Sequence, residues 1–178
     1  MVLRGLADRQ FGREKLARAV GFARGSYLFR GVQHGERLCA LGAVTIENQG
    51  RFLVGDRVTF VGGMIPSRFT THPEGVLEIG SNTSINYGSS FEAYAHVKLG
   101  SDCLVASLVR VCDRDGDRTA PIVIGDGVWL AHGAQLMPGV TIGRGSVVAA
   151  GSVVTRDIPP DMLAIGSPAR AMKLSTVA

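Results

Sequence analysis

Aliphatic residues and glycines recur every six positions between residues 122 and 158. The aliphatic series is Ile124, Leu130, Leu136, Ile142, Val148 and Val154, and the glycine series is Gly127, Gly133, Gly139, Gly145 and Gly151. A period of six matches neither the helical period near 3.6 nor the alternation of a strand. It is typical of a hexapeptide β-helix, in which three units close one triangular coil. We expect the aliphatic side chains to point inward and the glycines to occupy corners that need positive φ or exclude a Cβ.

The same period predicts which residues stack. Three units make one coil, so Ile124 should lie under Ile142, Leu130 under Val148, and Leu136 under Val154, with about 4.8 Å between neighbouring strands. The residues four positions after each of the first five aliphatics are small or β-branched, as a narrow interior requires: Val128, Ala134, Val140, Ser146 and Ser152. A glycine-rich β-sandwich would not keep one register over six units.

An apolar-x-apolar-Gly motif extends the predicted solenoid toward the N-terminus. It occurs at residues 39–42, 52–55, 77–80, 97–100, 122–125 and 140–143. The spacing of these motifs predicts a β-helix over residues 38–158, with excursions at 66–75 and 112–120. Surface loops on a rigid scaffold are where function usually resides. Two prolines then end the coil, and residues 159–178 are predicted to form a short C-terminal arm or helix.

Residues 1–37 are predicted to form a basic helical cap on an otherwise all-β chain. Apolar residues lie at roughly helical spacing up to about residue 24 and predict an amphipathic helix that closes the open end of the solenoid. They are Leu3, Leu6, Phe11, Leu16, Val20 and Phe22. This segment has eight Lys or Arg against three Asp or Glu, so its charge of +5 exceeds the +4 of the whole chain. It is either a solvated helix face or a peripheral contact with an anionic membrane or phosphorylated glycan carrier.

Composition limits the other possibilities. The 178 residues, 46% of them hydrophobic, suit one domain with a real core. Apolar runs are too short to span a bilayer, and the charged N-terminus lacks the apolar stretch of a secretory signal. Three cysteines without a CxxC pair favour reduced thiols in the cytoplasm over disulfides or a cysteine zinc site. No reader motif or aromatic interleaving points to nucleic acid.

Three motifs resemble those of a known family. Gly-Asp-Gly-Val-Trp at 125–129, GSVVTRDIPP at 151–160, and GSPAR at 166–170 followed by Lys173 are similar to motifs of the hexapeptide-repeat acyltransferases. The nearest branch contains maltose, galactoside and xenobiotic O-acetyltransferases and the acetyltransferases of exopolysaccharide synthesis. The resemblance covers about 77–173. It implies a left-handed parallel β-helix, a homotrimer with acetyl-CoA sites in the clefts between subunits, a small-molecule or glycan acceptor, and no required metal.

The donor side of such a site can be placed on the last two coils. Coenzyme A needs a slot floored by small residues for its pantetheine arm and cations for its phosphates. The small residues are Ala131, Gly133, Ala149 and Ala150, and the polar residues that follow are Thr155, Arg156, Arg170 and Lys173. The resemblance implies that Trp129, Ala150, Thr155, Arg156 and Lys173 contact the cofactor. The alternative is a small-residue face used only for trimer packing.

The catalytic base departs from the family pattern. Relatives carry a histidine on the loop before the Pro-Ile-x-Ile-Gly coil, a general base worth about 10²–10⁴-fold in rate. Here that loop reads CDRDGDRTAPI, and the matching position falls among Asp113 to Asp117. The remaining candidates are His132, His96, Asp115 and Asp117. Either aspartate would need a pKa raised by desolvation from a neighbouring subunit. The remaining possibility is that ordinary proton transfer is lost.

The acceptor side is predicted from a few polar residues. Asn86 matches an asparagine that relatives use at the acceptor or oxyanion, and Glu92 and Tyr94 are candidates for binding a sugar, although Asn86 and Glu92 could equally be corner caps. His72, in TTHP, resembles the family's His-Pro loop in letters only and is a minor candidate. A calcium site at 113–117 lacks the spacing of an EF-hand. The histidines are not spaced for a zinc site shared between subunits.

These observations predict an acetyl-CoA-dependent O-acetyltransferase acting on a sugar or polysaccharide-precursor hydroxyl. A second possibility is a catalytically silent trimer that binds coenzyme A or a glycan-pathway partner. A third is an N-acyltransferase of an amino sugar, which needs a weaker base if the amine arrives neutral.

Overall fold

The structure, a computed structural model, describes residues 2–173, with side chains from residue 15 onward. Helix α1 (Val2–Leu28) precedes six coils of short strands. The first three coils contain β1 (Gln33–His34), β2 (Cys39–Ala40), β3 (Val44–Asn48), β4 (Arg51–Val54), β5 (Thr59–Phe60), β6 (Ser67–Thr71), β7 (Val76–Ile79), β8 (Ser84–Ile85) and β9 (Ser90–Ala93). The next three contain β10 (His96–Leu99), β11 (Leu104–Val105), β12 (Arg110–Cys112), a hairpin of β13 (Arg114–Asp115) and β14 (Arg118–Thr119), β15 (Ile122–Ile124), β16 (Trp129–Leu130), β17 (Gln135–Leu136), β18 (Thr141–Ile142), β19 (Val147–Val148) and β20 (Val153–Val154).

Equivalent strands of successive coils pair in parallel and form three faces. Sheet A is β1-β4-β7-β10-β15-β18, sheet B begins β2-β5-β8-β11-β16-β19, and sheet C is β3-β6-β9-β12-β17-β20. We call the turns between them the AB, BC and CA corners, in chain order. The predicted all-β parallel β-helix with an N-terminal helix is confirmed, and its form is consistent with the left-handed sense that the resemblance implies.

The hexapeptide register is confirmed residue by residue. All six aliphatics of the series are buried, and Ile142, Val148 and Val154 pair with Ile124, Leu130 and Leu136 of the preceding coil. The small interior residues that follow them are buried as well. The five repeat glycines have φ between +66° and +84°, a conformation that a side chain makes costly.

Phenylalanines fill the interior of the earlier coils. Phe69 stacks on Phe52 and Phe91, each at 5.7 Å between ring centroids, and meets Phe60 edge-on at 5.2 Å. All four rings are buried. Phe29, just beyond α1, stacks on Phe60 at 4.8 Å and closes the first end of this column.

Helix α1 packs differently from the amphipathic helix predicted. It ends at Leu28 rather than near residue 24, and Leu16 and Val20 are 67% and 57% exposed. The prediction that these two side chains pack on the solenoid is therefore wrong; Leu3, Leu6 and Phe11 lie outside the described side chains. The contact is made by glycine, because a Cβ on Gly25 would come within 2.4 Å of the Leu38 carbonyl oxygen.

The two insertions are accommodated at corners. Register fixes their positions: Phe52, Thr59 and Arg68 of the second coil pair with Leu77, Ser84 and Ser90 of the third. The segment predicted as one excursion at 66–75 therefore contains strand β6, and its extra residues are divided between the BC corner before β6 and the CA corner after it. The segment 112–120 leaves the coil at the CA corner and contains the β13–β14 hairpin.

Both ends of the predicted β-helix differ from the boundaries drawn from the sequence. Strand β1 lies within the segment 1–37 that was predicted as cap. At the other end, β21 (Met162–Gly166) adds to β19 in parallel and β22 (Ala169–Lys173) folds back antiparallel on β21. Over the described residues 162–173 the C-terminal arm is thus a hairpin that extends sheet B, and the helical alternative is wrong there.

Candidate functional site

The BC corner brings together the predicted donor residues of the last coils. Backbone hydrogen bonds run up this corner from Gly133 N–H to the Ser107 oxygen (3.0 Å) and from Gly151 N–H to the His132 oxygen (2.8 Å). They stack Ser107, His132 and Ala150 in one column. Ala131, Gly133 and Ala149 flank that column, and all three are partly exposed. The corner therefore presents a narrow surface with almost no side chains beyond Cβ, broken only by the His132 ring.

His132 projects from this corner into solvent. Its Nδ1 lies 2.8 Å from the Ser107 hydroxyl oxygen. Among the described residues nothing hydrogen-bonds to its Nε2. The ring is thus anchored through one nitrogen, and the other is available to a bound molecule. Asn86 begins the same corner two coils earlier, and its side-chain amide has no partner within the described part of the chain.

Trp129 lies on the outer face of sheet B, two residues before the corner. It pairs with Leu104 on one side and Val147 on the other, and its side chain is 49% exposed. The exposed indole presents a flat apolar face beside the corner, on which a bound molecule can pack.

The predicted phosphate ligands do not share one corner. Thr155 and Arg156 follow β20 at the CA corner, whereas Arg170 and Lys173 lie on β22 at the edge of sheet B, opposite Ile165 and Met162. All four are exposed. They lie at the C-terminal end of the solenoid, where the Gly166 N–H donates to the Ser152 hydroxyl at 3.1 Å and ties the hairpin to the BC corner.

A second cluster lies at the CA corner, around Glu92. His72 Nε2 is 3.0 Å from Glu92 Oε1, and the His72 ring lies flat against the Tyr94 ring, with centroids 3.6 Å apart and planes 12° apart. The Tyr94 hydroxyl also hydrogen-bonds to Glu92. The Arg114 guanidinium lies 4.8 Å from the Tyr94 ring centroid. One carboxylate, one imidazole, one phenol and one guanidinium thus converge.

The contacts in this cluster perturb its titrations. Burial by itself would raise the pKa of Glu92, but hydrogen bonds from His72 and Tyr94 and the charge of Arg110 outweigh it, so the pKa is lowered. The hydrogen bond to Glu92 raises the pKa of Tyr94. Burial raises the pKa of the Cys112 thiol, which lies 3.9 Å from Glu92 Oε2. Glu92 is therefore the anionic centre, and the phenol and thiol are held neutral.

Asp113 has a structural role in shaping this corner. It is fully buried, and its carboxylate accepts three backbone N–H groups, from Tyr94 (2.7 Å), Ala95 (2.8 Å) and His96 (2.7 Å). Asp113, the first residue of the segment 113–117 that matches the family's loop histidine, is thus unavailable to a substrate. Asp115 and Asp117 are exposed on the β13–β14 hairpin, so in a single chain neither is desolvated.

His96 lies on the outer face of sheet A. Its Nε2 is 3.0 Å from Glu78 Oε1 on the neighbouring strand β7. This pair resembles His72–Glu92 in distance and exposure, but among the described residues no aromatic ring stacks on it. Within one chain the predicted catalytic residues are therefore divided: His132 and Asn86 lie at the BC corner, and Asp115, Asp117, Glu92 and Tyr94 lie at or beside the CA corner.

An open pocket of about 150 Å³ adjoins the cluster beneath the β13–β14 hairpin. Its lining includes Arg110, Cys112, Arg114 and Asp115 on one side and residues 135–138 on the other. Cys112 and Arg114 also touch the Glu92 cluster, so pocket and cluster are continuous. The sequence predicts His72 only as a minor candidate. The alternation of inward residues along β6, which ends immediately before His72, indicates that this histidine lies at a corner.

Comparison with known proteins agrees with this architecture. Residues 121–156 match the family model described as bacterial transferase hexapeptide (six repeats). These residues carry the transferase hexapeptide repeat. A protein of Schizosaccharomyces pombe, named as a candidate acetyltransferase, is 36% identical over 108 residues, which are 54% of this chain and 52% of the relative. The chain thus spans about half the length of that relative.

Two solved structures share the fold and carry the cofactor. A galactoside acetyltransferase in complex with coenzyme A is 30% identical, with a TM-score of 0.55, over 65% of this chain and 63% of that one. A hexapeptide-repeat acetyltransferase of Vibrio cholerae in complex with acetyl-CoA is 26% identical, with a TM-score of 0.56, over 93% of this chain and 85% of that one. The resemblance to hexapeptide-repeat acyltransferases is confirmed by these matches.

Two further observations concern metals and membranes. Among the described residues no three His, Cys, Asp or Glu side chains are grouped to hold a metal ion. Helix α1, over the part that the structure describes, is not apolar enough to cross a membrane.

Proposed function

We propose that the chain is an acetyl-CoA-dependent O-acetyltransferase that acts on a hydroxyl of a sugar or polysaccharide precursor. The observation that supports this most directly is the BC corner of the last two coils. Ala131, Gly133, Ala149 and Ala150 leave a track of small residues there, with the exposed Trp129 ring beside it. A pantetheine arm fits such a track because it brings its own amides and needs backbone partners and little volume.

The active site is proposed to lie between copies of the chain in a homotrimer. The donor track and the Glu92 cluster occupy different corners of one protomer, so one chain alone does not juxtapose them. Packing the BC corner of one copy against the CA corner of the next brings the thioester to the acceptor cluster. Light scattering on the purified protein should then give a mass of three chains. We also propose that the protein works in the cytoplasm, where Cys39, Cys103 and Cys112, all unpaired, stay reduced.

In this site the acceptor oxygen attacks the thioester carbonyl carbon. The tetrahedral oxyanion is stabilised by a backbone amide or by the Asn86 amide, whose donors are not engaged within the described residues. Arg156, with Arg170 and Lys173, contributes positive charge for the phosphates of the cofactor. His132 is the predicted base nearest the donor track.

Calorimetric titration with acetyl-CoA tests this function without knowledge of the acceptor. We expect one site per chain. Ala150→Phe fills the track at an exposed position and should abolish binding, and Arg156→Ala should weaken it about 10-fold, the usual value of one charge-assisted hydrogen bond. Arg144→Ala, an exposed arginine at the AB corner, is the matched control and should bind normally. Absence of binding at millimolar acetyl-CoA would remove the transferase function.

A further inference from the structure

We propose that His72, oriented by Glu92, is the general base of acetyl transfer and replaces the histidine missing from the loop at 112–120. This inference rests on the proposed transferase function. His72 follows β6 directly at the CA corner of the second coil, and its N–H donates to the Ala93 oxygen of the next coil at 2.9 Å. The β13–β14 hairpin leaves the same corner two coils later. A histidine on either insertion therefore serves the same side of the solenoid.

The geometry of His72 is that of an oriented base. Glu92 Oε1 holds Nε2 at 3.0 Å, and the Tyr94 ring lies flat against the imidazole at 3.6 Å. These two contacts fix both the tautomer and the plane of the ring. With the proton on Nε2, Nδ1 carries a lone pair, and no described residue hydrogen-bonds to it. A carboxylate behind one imidazole nitrogen and an open second nitrogen is the arrangement that general-base histidines use.

The support around this pair is stronger than around the other histidines. Tyr94 is held by its hydroxyl on Glu92 and covered by Arg114, and Asp113 fixes the backbone N–H of Tyr94 at 2.7 Å. Among the described residues His132 is held by the Ser107 hydroxyl, which has no negative charge to stabilise an imidazolium as a carboxylate does. His96 has the carboxylate of Glu78 but neither the ring stack nor the adjoining pocket.

The proton balance closes without any further reactant. The acceptor hydroxyl gives its proton to His72 Nδ1 as its oxygen forms the bond to the thioester carbonyl carbon. The tetrahedral adduct then collapses, the carbon–sulfur bond breaks, and the coenzyme A thiolate takes the proton from the imidazolium. Glu92 stays ionised throughout, as its lowered pKa allows, and stabilises the positive ring between the two transfers. The products are the acetyl ester and free coenzyme A.

Thiol release from acetyl-CoA measures the step directly. The assay uses maltose, a p-nitrophenyl galactoside and glucosamine as acceptors and is run on the wild-type and on His72→Ala, His72→Gln and Glu92→Gln. We expect turnover to fall 10²–10⁴-fold in both His72 variants, with the acetyl-CoA Kd within twofold of wild-type. His72→Gln keeps a donor for Glu92 and so separates chemistry from packing. Added imidazole should restore part of the turnover of His72→Ala and should leave the turnover of the wild-type unchanged.

His34→Ala is the control, because it removes an exposed histidine of β1 that lies outside both clusters. It should retain more than half of the wild-type turnover. Normal turnover in His72→Gln, or a 100-fold loss in His132→Ala with none in His72→Ala, would overturn the inference while leaving the transferase function intact. Binding of acetyl-CoA without thiol release from any acceptor by the wild-type would overturn it too. Failure of acetyl-CoA to bind would instead remove the function on which it rests.

Discussion

Replacing Asp113 should destabilise the fold by weakening the hydrogen bonds that hold the backbone of the CA corner. The carboxylate is fully buried and accepts N–H groups from three consecutive residues at 2.7–2.8 Å, one at Oδ1 and two at Oδ2. Asp113→Asn preserves the shape, but its amide nitrogen must face at least one N–H. The variant loses one hydrogen bond outright and the charge assistance of the other two.

The magnitude follows from these three bonds. A hydrogen bond to a charged group contributes about 1.5–3 kcal/mol, and a donor left buried without a partner costs about 1–3 kcal/mol. We therefore expect Asp113→Asn to lower the free energy of unfolding by about 2–4 kcal/mol. Asp113→Ala, which removes both oxygens, should lower it by more.

Urea unfolding followed by circular dichroism measures this change. All variants should be compared at one protein concentration, since any oligomer makes stability concentration-dependent. Asp115→Asn is the control, because this neighbouring aspartate is exposed, and surface changes usually stay within about 0.5 kcal/mol. An Asp113→Asn protein as stable as Asp115→Asn would refute the reasoning, since the three N–H groups would then have other partners.

Three further predictions concern the helix contact, a buried thiol and the aromatic column. Gly25→Ala should lower the melting temperature despite its better helix propensity, because its Cβ meets the Leu38 oxygen at 2.4 Å, whereas Gly31→Ala, with nothing within 4 Å, should not. Burial raises the pKa of the Cys103 thiol from 9.0 to about 11, so the folded state holds the proton more tightly. The contribution of this thiol to the free energy of unfolding is fully present below pH 9 and should fall by about 1.4 kcal/mol per pH unit until about pH 11. Urea unfolding of Cys103→Ala across this range should lack this contribution to the pH dependence. Phe69→Ala should cost about 3–5 kcal/mol in urea unfolding and Phe69→Leu markedly less, because only the first opens a large cavity; equal costs would mean that the cavity does not decide the loss.

The last two coils could be predicted residue by residue because each position of the repeat there has a single structural role. An inward aliphatic, a small interior residue and a positive-φ glycine repeat without interruption, so register alone placed Ala131, Gly133 and Ala149 on one corner. The earlier coils obey the same geometry with different residues. Phe69 and Phe91 fill the interior where the later coils use aliphatics, and the prolines around β6 resemble a loop although Ser67, Phe69 and Thr71 alternate inward as in a strand.

The Glu92 cluster could not be read from the sequence for a different reason. His72 and Glu92 are far apart along the chain, and their contact depends on the pairing of β6 with β9, in which Thr70 lies beside Glu92. The insertions on either side of β6 hide that register in the sequence. Asp113 illustrates the same limit, since a buried carboxylate that accepts three N–H groups looks, as letters, like part of an acidic surface loop. The prediction for helix α1 was wrong because its apolar spacing suggested a stripe of side chains packed on the solenoid, whereas the closest approach to the solenoid is made by a glycine of the helix.

The constancy of the AB corner makes the scaffold modular. The step from sheet A to sheet B is identical in successive coils, from Phe52 to Thr59, Leu77 to Ser84, Val97 to Leu104 and Ile122 to Trp129. The CA corner, in contrast, absorbs much of the extra length without shifting any ladder. A recognition loop exchanged at the CA corner beyond Asp113 therefore leaves the interior untouched, so selectivity for new molecules can be altered by changing loop length there while the stability of the coil is retained.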